Sequence, residues 1–368
     1  MRKMKLIALK DVCKINMGQS PNSSSYNDYG DGMPFFQGNA DFGERYPITR
    51  VWCNTPTKIA QAEDILISVR APIGALNYAK EECCIGRGLA AITPDRNKVS
   101  QDFIYWALKG KKAELNDKGN GSTFKAISRK ILEETMIPDI NFEQQHKCAE
   151  NLEKIYGIIQ NRRKELLALD DLIKARFVEM FDGKYPEDTL LNLCNIIDYR
   201  GKTPKKVERG LPFITAKNVK MHHMTLEPLE YISKETYDKV MVRGFPKEGD
   251  VVFTTEAPLG NVCRIPHFNT EFYIGQRIVT MQTEELNPTY LEYALSAEEF
   301  IRKYMGNSSG STVIGIRVRL LEQLTIQVPP RGLQDEFAIF VEQVDKSKLM
   351  FQKLHQKLNI LRQKAGDI

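Results

Sequence analysis

The residues that could carry chemistry fall into four sets, and each stops short of an active centre. Gly201-Lys202-Thr203 has the ending of a phosphate-binding loop, but Ile196 stands where that loop needs a glycine five residues earlier. Pro138-Asp139 with Glu143 offers two carboxylates without the Glu-x-Lys part of a nuclease, and acids are common at a helix start. His222-His223 has no partner at metal-ligand spacing, and no Cys/His ligand cluster accompanies it. The only Pro-Pro pair, in Val328-Pro329-Pro330-Arg331, lacks the flanking Asn, Asp or Ser and the aromatic residue that an amino-methyltransferase acting on DNA requires. No cofactor-binding glycine motif accompanies it. The chain is therefore expected to be non-catalytic, with no cofactor or metal of its own.

What remains suits contact rather than turnover. Lys202, Lys205, Lys206 and Arg209 crowd one presumed loop, and Lys125, Arg129 and Lys130 follow Gly121-Ser122-Thr123. Such cations position a protein on phosphates, whereas Arg, Asn, Gln, Ser and Thr read base edges. The net charge is only +5, and residues 1–141 hold most of it, with 20 Lys and Arg against 16 Asp and Glu. An excess that small does not identify a nucleic-acid binder; clustering is the stronger signal.

The segments that must position these residues occur twice. Ile7–Ile15 with Gly18–Pro21 returns as Leu190–Ile197 with Gly201–Pro204, and Gly32–Phe36 as Gly210–Ile214. Glu63–Gly74 then returns as Gly249–Gly260, Ile85-Gly86-Arg87 as Ile274-Gly275-Gln276-Arg277, and Gly121-Ser122-Thr123 as Gly310-Ser311-Thr312. Two copies of one domain have been fused. Within each, strand-like runs such as Ile65–Val69 and Val251–Thr255 mix with helix-like segments at 101–115 and 288–304 without a strict βαβ rhythm. That pattern favours α+β.

Each copy is followed by a long stretch almost free of Gly and Pro. Steps of three and four give one seam of Leu152, Ile155, Ile159, Arg162, Leu166, Leu169, Ile173, Arg176 and Met180. A second runs through Phe337, Phe340, Val344, Ser347, Phe351, Leu354, Leu358, Leu361 and Ala365. A narrow apolar seam of this period implies a paired helix, and about 40 residues span about 60 Å. The expected architecture is α+β, with two tandem globular domains separated by two long antiparallel helices forming a coiled coil. The boundaries are a first domain at 1–141, a central helix at 142–182, a second domain at 183–331 and a C-terminal helix at 332–368. Arg162 and Arg176 interrupt the first seam, either fixing register by pairing across it or reaching solvent over packed stems.

Composition excludes other classes. With 368 residues, 42% of them hydrophobic, and no long apolar run or low-complexity tract, the chain is neither a membrane protein nor disordered. Seven cysteines, without a Cys-x-x-Cys, read as buried thiols of a reducing cytoplasm.

Candidate contacts sit at equivalent places. Gln19 and Ser20, with Lys202 and Thr203, flank the repeated turns; Asn39 and Lys217-Asn218 follow the Pro-Phe strands. Arg70 precedes Ala71-Pro72, where the second copy has Glu256, an exchange suited to guanine against cytosine. Arg87, Gln276 and Arg277 follow Ile-Gly; Ser122, Thr123, Ser311 and Thr312 follow glycines, with Arg317 just beyond. Plain turn, capping and salt-bridge roles are the alternatives at these positions.

The tandem copies, the Gly201–Pro204 and Pro258–Asn261 motifs, and above all Leu169–Phe181 with its Arg-Phe-x-Glu-Met-Phe ending, resemble the specificity subunit of type I restriction–modification systems. The resemblance covers essentially the whole chain, although the C-terminal helix lacks that ending. It implies a non-catalytic subunit whose two target-recognition domains each read half of a split site in double-stranded DNA, with helices setting the spacer. It also implies two methyltransferase subunits carrying S-adenosylmethionine, and two motor-nuclease subunits using ATP and magnesium. A recognition subunit serving a methyltransferase alone or a related restriction class with no motor partner, and a two-headed protein–protein scaffold without DNA binding, are the rival readings.

Overall fold

The structure, a computed structural model, describes residues 5–119, 125–199, 201, 204–310 and 313–366, with 351–366 as backbone alone. It divides into two compact units, Met1–Arg163 with Lys353–Ile368, and Lys164–Gln352. Each unit is α+β.

In the first, a four-stranded antiparallel sheet runs in the order Cys13–Met17, Leu89–Pro94, Ile65–Ser68, Leu76–Tyr78. All four residues of Ile65–Ser68 are buried, because the strand is covered on both faces. Ile65 and Ile67 join Phe103, Ile104 and Leu108 of the helix Gln101–Gly110 in one core. Leu66 points the other way, into a core with Phe36, Ile85 and Leu89 beneath a second, five-stranded sheet. This two-residue alternation is the geometry of a pleated strand. Each such side chain contributes about 1.5–3 kcal/mol when fully buried.

The second unit repeats the plan. Its sheet runs Asn195–Asp198, Ile278–Gln282, Val251–Thr254, Val262–Arg264. Val251 and Phe253 face the helix Pro288–Ser296, whereas Val252 faces a core with Ile214 and Ile274. Asn287 caps that helix through its side chain, which accepts from Thr289 N–H, and Pro288 occupies the first turn where no N–H is needed. Both second sheets contain one parallel pairing, Phe35 with Cys84 and Phe213 with Tyr273. A further ladder closes each domain: Leu6–Ala8 pairs with Met136–Pro138, and Glu187–Thr189 with Thr325–Gln327.

The long helices are Phe142–Phe181 and Arg331–Gly366. Their seams do not serve pairing alone. Leu152 packs into the core of the first domain beside Trp106 and Ala149, so the first turns of the central helix lie on that domain. Ile155 is half-buried and Ile159 fully buried. In the second unit Leu169, Ile173, Met180, Phe340 and Val344 belong to one continuous core with the domain's own Tyr290 and Leu291, and Leu166 is half-buried. Phe177, Phe181 and Val341, outside the expected seam, join them. There the helix segments run antiparallel: Arg176 Nη2 meets Glu336 Oε1 at 3.1 Å, and Lys348 Nζ meets Asp170 Oδ1 at 2.7 Å. The side chains of Phe351, Leu354, Leu358 and Leu361 lie outside the described residues.

Candidate DNA-recognition surface

In both domains a hydroxyl ends the central strand. Ser68 Oγ donates to Pro72 O at 2.7 Å and accepts from Ala75 N at 2.9 Å; Thr254 Oγ1 accepts from Asn261 N at 2.9 Å. The following residue is locked from two sides. Val69 N donates to Gly88 O and Val69 O accepts from Ile127 N, both at 2.9 Å; Thr255 does the same with Arg277 O and Ile316 N, again at 2.9 Å. The next position is exposed at Arg70 and half-buried at Glu256, and its backbone bridges to Ala126 from Arg70 and to Gly315 from Glu256. Backbone hydrogen bonds thus build the same frame twice, whatever side chains it carries.

In the first domain the frame gathers several candidates. Gly18 N donates to Leu89 O at 2.9 Å and Gln19 N to Ile85 O at 3.0 Å, which presses the turn onto the Ile85–Leu89 loop. A Cβ at Gly18 would lie 2.1 Å from Gly86 O, so only glycine fits that approach. Ser20 Oγ accepts from Arg87 N at 3.3 Å, leaving the Arg87 side chain exposed. Gly86 N and Gly88 N donate to Phe36 O and Gln37 O, which brings the strand end beside the same loop. Gln19, Arg70 and Lys125 are exposed there, and Ser20 and Asn39 half-buried. Arg129 starts the next short helix and pairs with Glu133 at 2.7 Å.

In the second domain the frame borders a cleft of about 370 Å³ lined by Thr255, Glu256, Gln276, Ser309, Val313, Gly315, Ile316 and Arg317. Arg277, which follows the lining residue Gln276, meets the lining Glu256 with Nε 2.8 Å from Oε1. Arg317 stands at the N-cap of Val318–Glu322 with no capping side-chain bond, and its side chain is exposed. In the first domain the equivalent cap, Ser128, accepts from Ile131 N instead.

Other candidates are placed elsewhere. Lys206 pairs with Glu230 at 2.7 Å along the second sheet, and Lys205 and Lys217 are exposed. Asn218 is corrected outright. It is 2% exposed, its Oδ1 accepts from Thr215 N and Oγ1, and its Nδ2 donates to Thr225 O and Pro228 O. All of its polar capacity is consumed by a turn, so it is a structural residue. Ser122, Thr123, Lys202, Thr203, Ser311 and Thr312 lie outside the described residues. Thr255 and Ser309 were not legible as cleft residues; the sequence signal nearest them is the pair of glycines at 310 and 315, the second of which bridges to Ser309.

Burial pushes the thiols of Cys13, Cys83, Cys194 and Cys263 up to about 12. His222 is turned to the buried Glu292, with Nδ1 2.9 Å from Oε1, while Arg264 Nε donates to Glu292 Oε2 at 2.6 Å. No helix among the described residues is long and apolar enough to cross a membrane.

Fold and surface together define a duplicated α+β protein in which one backbone frame presents two different polar surfaces, each copy being followed by a long helix. The model of the type I restriction–modification DNA specificity domain matches residues 1–169 and again 187–361, and the chain belongs to that family, with two copies of its domain. A stretch of 171 residues is 47% identical to a putative type I restriction enzyme MjaX specificity subunit of Methanocaldococcus jannaschii; it covers 46% of this chain and 40% of that subunit's length. The MjaIX specificity subunit of the same organism is 21% identical over 389 aligned positions, 96% of this chain and 89% of that one. The crystal structure of a type I restriction–modification S subunit from M. genitalium shares the fold, with a TM-score of 0.59 at 15% identity over 100% of this chain and 96% of its own.

Proposed function

We propose that the chain is the DNA-specificity subunit of a type I restriction–modification complex. Its target-recognition domains, residues 1–141 and 183–331, each read one half of a split and asymmetric site in double-stranded DNA. The observation that carries this reading is the conserved frame with exchanged side chains: Arg70 against Glu256, Arg87 against Gln276, Gly88 against Arg277 and Ser128 against Arg317. A scaffold gains nothing from varying polar groups on a fixed frame, whereas readers of two different half-sites require it. The helices at 142–182 and 332–368 set the spacer, on the order of one turn of duplex. Two methyltransferase subunits and two motor-nuclease subunits assemble on this subunit in the cytoplasm. S-adenosylmethionine, ATP and magnesium belong to those partners.

The test is methylation-sensitive sequencing of DNA from cells expressing the chain with its methyltransferase partner, beside cells lacking only this chain. Methylated adenines in a split, asymmetric motif that disappear without the chain are expected. An unchanged pattern, with the methyltransferase active and the chain folded, would move the assignment to a protein–protein scaffold.

A further inference from the structure

Resting on the DNA-specificity reading, we propose that Arg277 reads a guanine in the half-site of the second domain, and that Glu256 is the positioning residue that sets its guanidinium. The two residues are 21 positions apart in sequence, on two separate loops, and meet beside the cleft that Glu256 lines, with side chains 52% and 42% exposed. Their backbones are fixed before any ligand arrives. Arg277 O accepts from Thr255 N at 2.9 Å, and Glu256 bridges to Gly315, where an added Cβ would sit 3.1 Å from the Glu256 Cβ.

The contact to Glu256 runs through Nε, which leaves the two terminal nitrogens of Arg277 to donate together. Guanine presents two acceptors, O6 and N7, on its major-groove edge, and a guanidinium matches both at once. Adenine at the same place presents a donor at N6, and two donors facing each other repel. An arginine already ordered by a carboxylate loses less side-chain freedom on binding than one that ranges through solvent. Arg317 lines the cleft with an exposed side chain and adds a second cation to it.

The first domain cannot make this contact at the same point. Gly88 occupies the place of Arg277 and Arg70 the place of Glu256, so the frame there carries a cation on the turn and no side chain at the one loop position that Arg277 fills, Arg87 standing one residue earlier. Guanine dependence through this pair is therefore a property of the second half-site alone.

The experiment is the methylation motif of the full chain with its methyltransferase partner, for wild type, Arg277→Ala, Arg277→Lys and Glu256→Gln. Arg277→Ala is expected to relax one G·C position in a single half-site, with ~10-fold or greater loss of discrimination there, while the other half-site and methylation of the original target persist. Arg277→Lys should keep part of the preference, and Glu256→Gln should weaken the same position and no other. An unaltered motif in Arg277→Ala, or relaxation at an A·T position, overturns the proposal while leaving the specificity reading intact. Should Arg277→Ala abolish methylation altogether, the other two variants decide, and a full motif in both overturns the proposal. A wild-type chain that imposes no motif sinks the underlying reading instead.

Discussion

Tyr78 and Tyr105 in the first domain occupy the places that Arg264 and Glu292 hold in the second. Tyr78 and Arg264 pair with Ile65 and Val251, the first residues of equivalent central strands. In the first domain the two rings stack at 4.6 Å, and Arg45 lies over Tyr78 at 5.1 Å while its Nη1 meets Glu153 Oε1 at 2.6 Å. In the second, Arg264 and His222 converge on a carboxylate that is 1% exposed, and His222 stacks on Tyr293 at 4.3 Å. One solution is a stack capped by a cation; the other is a buried acid held by two bases. Both leave the strand register unchanged, because the ladder hydrogen bonds do not depend on side chains. The same independence operates at the backbone frame around Val69 and Thr255.

The comparison breaks most sharply at Arg264. Arg264→Met leaves the buried Glu292 with His222 alone, and should cost about 2 kcal/mol. That is less than the full cost of a broken buried pair because Arg264 is partly exposed. Arg264→Met with Glu292→Leu should recover most of the loss, since no buried charge then remains. Urea denaturation of the full chain reads both, and a double variant weaker than the single one would contradict the account.

The turn glycines give the next effect. Gly18→Ala drives a methyl into three carbonyl oxygens within 2.8 Å and should cost about 2 kcal/mol. At the equivalent Gly201 nothing among the described residues lies within 4 Å of a Cβ, but φ is +80°, so Gly201→Ala should cost only about 1 kcal/mol. Equal costs, read by thermal melts, would remove the distinction between close approach and backbone conformation.

Cysteine chemistry sharpens the comparison more gently. Cys13 and Cys83 in the first domain, and Cys194 and Cys263 in the second, have thiols raised by burial from an ordinary 9.0 to about 12. A group raised in the folded state contributes stability below its unfolded value and loses it as pH climbs toward the folded one. Stability should therefore decline between pH 9 and 12 in both domains. At neutral pH, thiol labelling of the folded chain should reach Cys148, which is half-buried, ahead of the six buried cysteines. The smallest effect belongs to Arg176 and Glu336, an exposed pair whose double-variant cycle should show no resolvable coupling in thermal melts.

Much of the fold was legible because periodicity records burial. Ile65–Ser68 and Val251–Thr254 read as strands from their apolar runs, and the helices from steps of three and four. The partners of the seam were less legible. A period of 3.5 shows which face of a helix is covered, yet Leu152 meets Trp106 of its own domain, and periodicity names no partner. Candidate contact residues could be proposed only through the repeat, which aligned Arg70 with Glu256. It also aligned Asn39 with the Lys217-Asn218 segment, and there it misled, because Asn218 spends its amide on Thr215, Thr225 and Pro228. An asparagine that holds a turn and one that meets a ligand look the same in a sequence; only the count of filled hydrogen bonds separates them.

The short ladders that close each domain carry one more consequence. Residues Leu6–Ala8 lie against Met136–Pro138, just before the central helix begins, and Glu187–Thr189 against Thr325–Gln327, just before the terminal helix. Each domain thus begins and ends at the same spot. A segment with adjacent ends can be exchanged for another of similar closure without re-threading the rest of the chain.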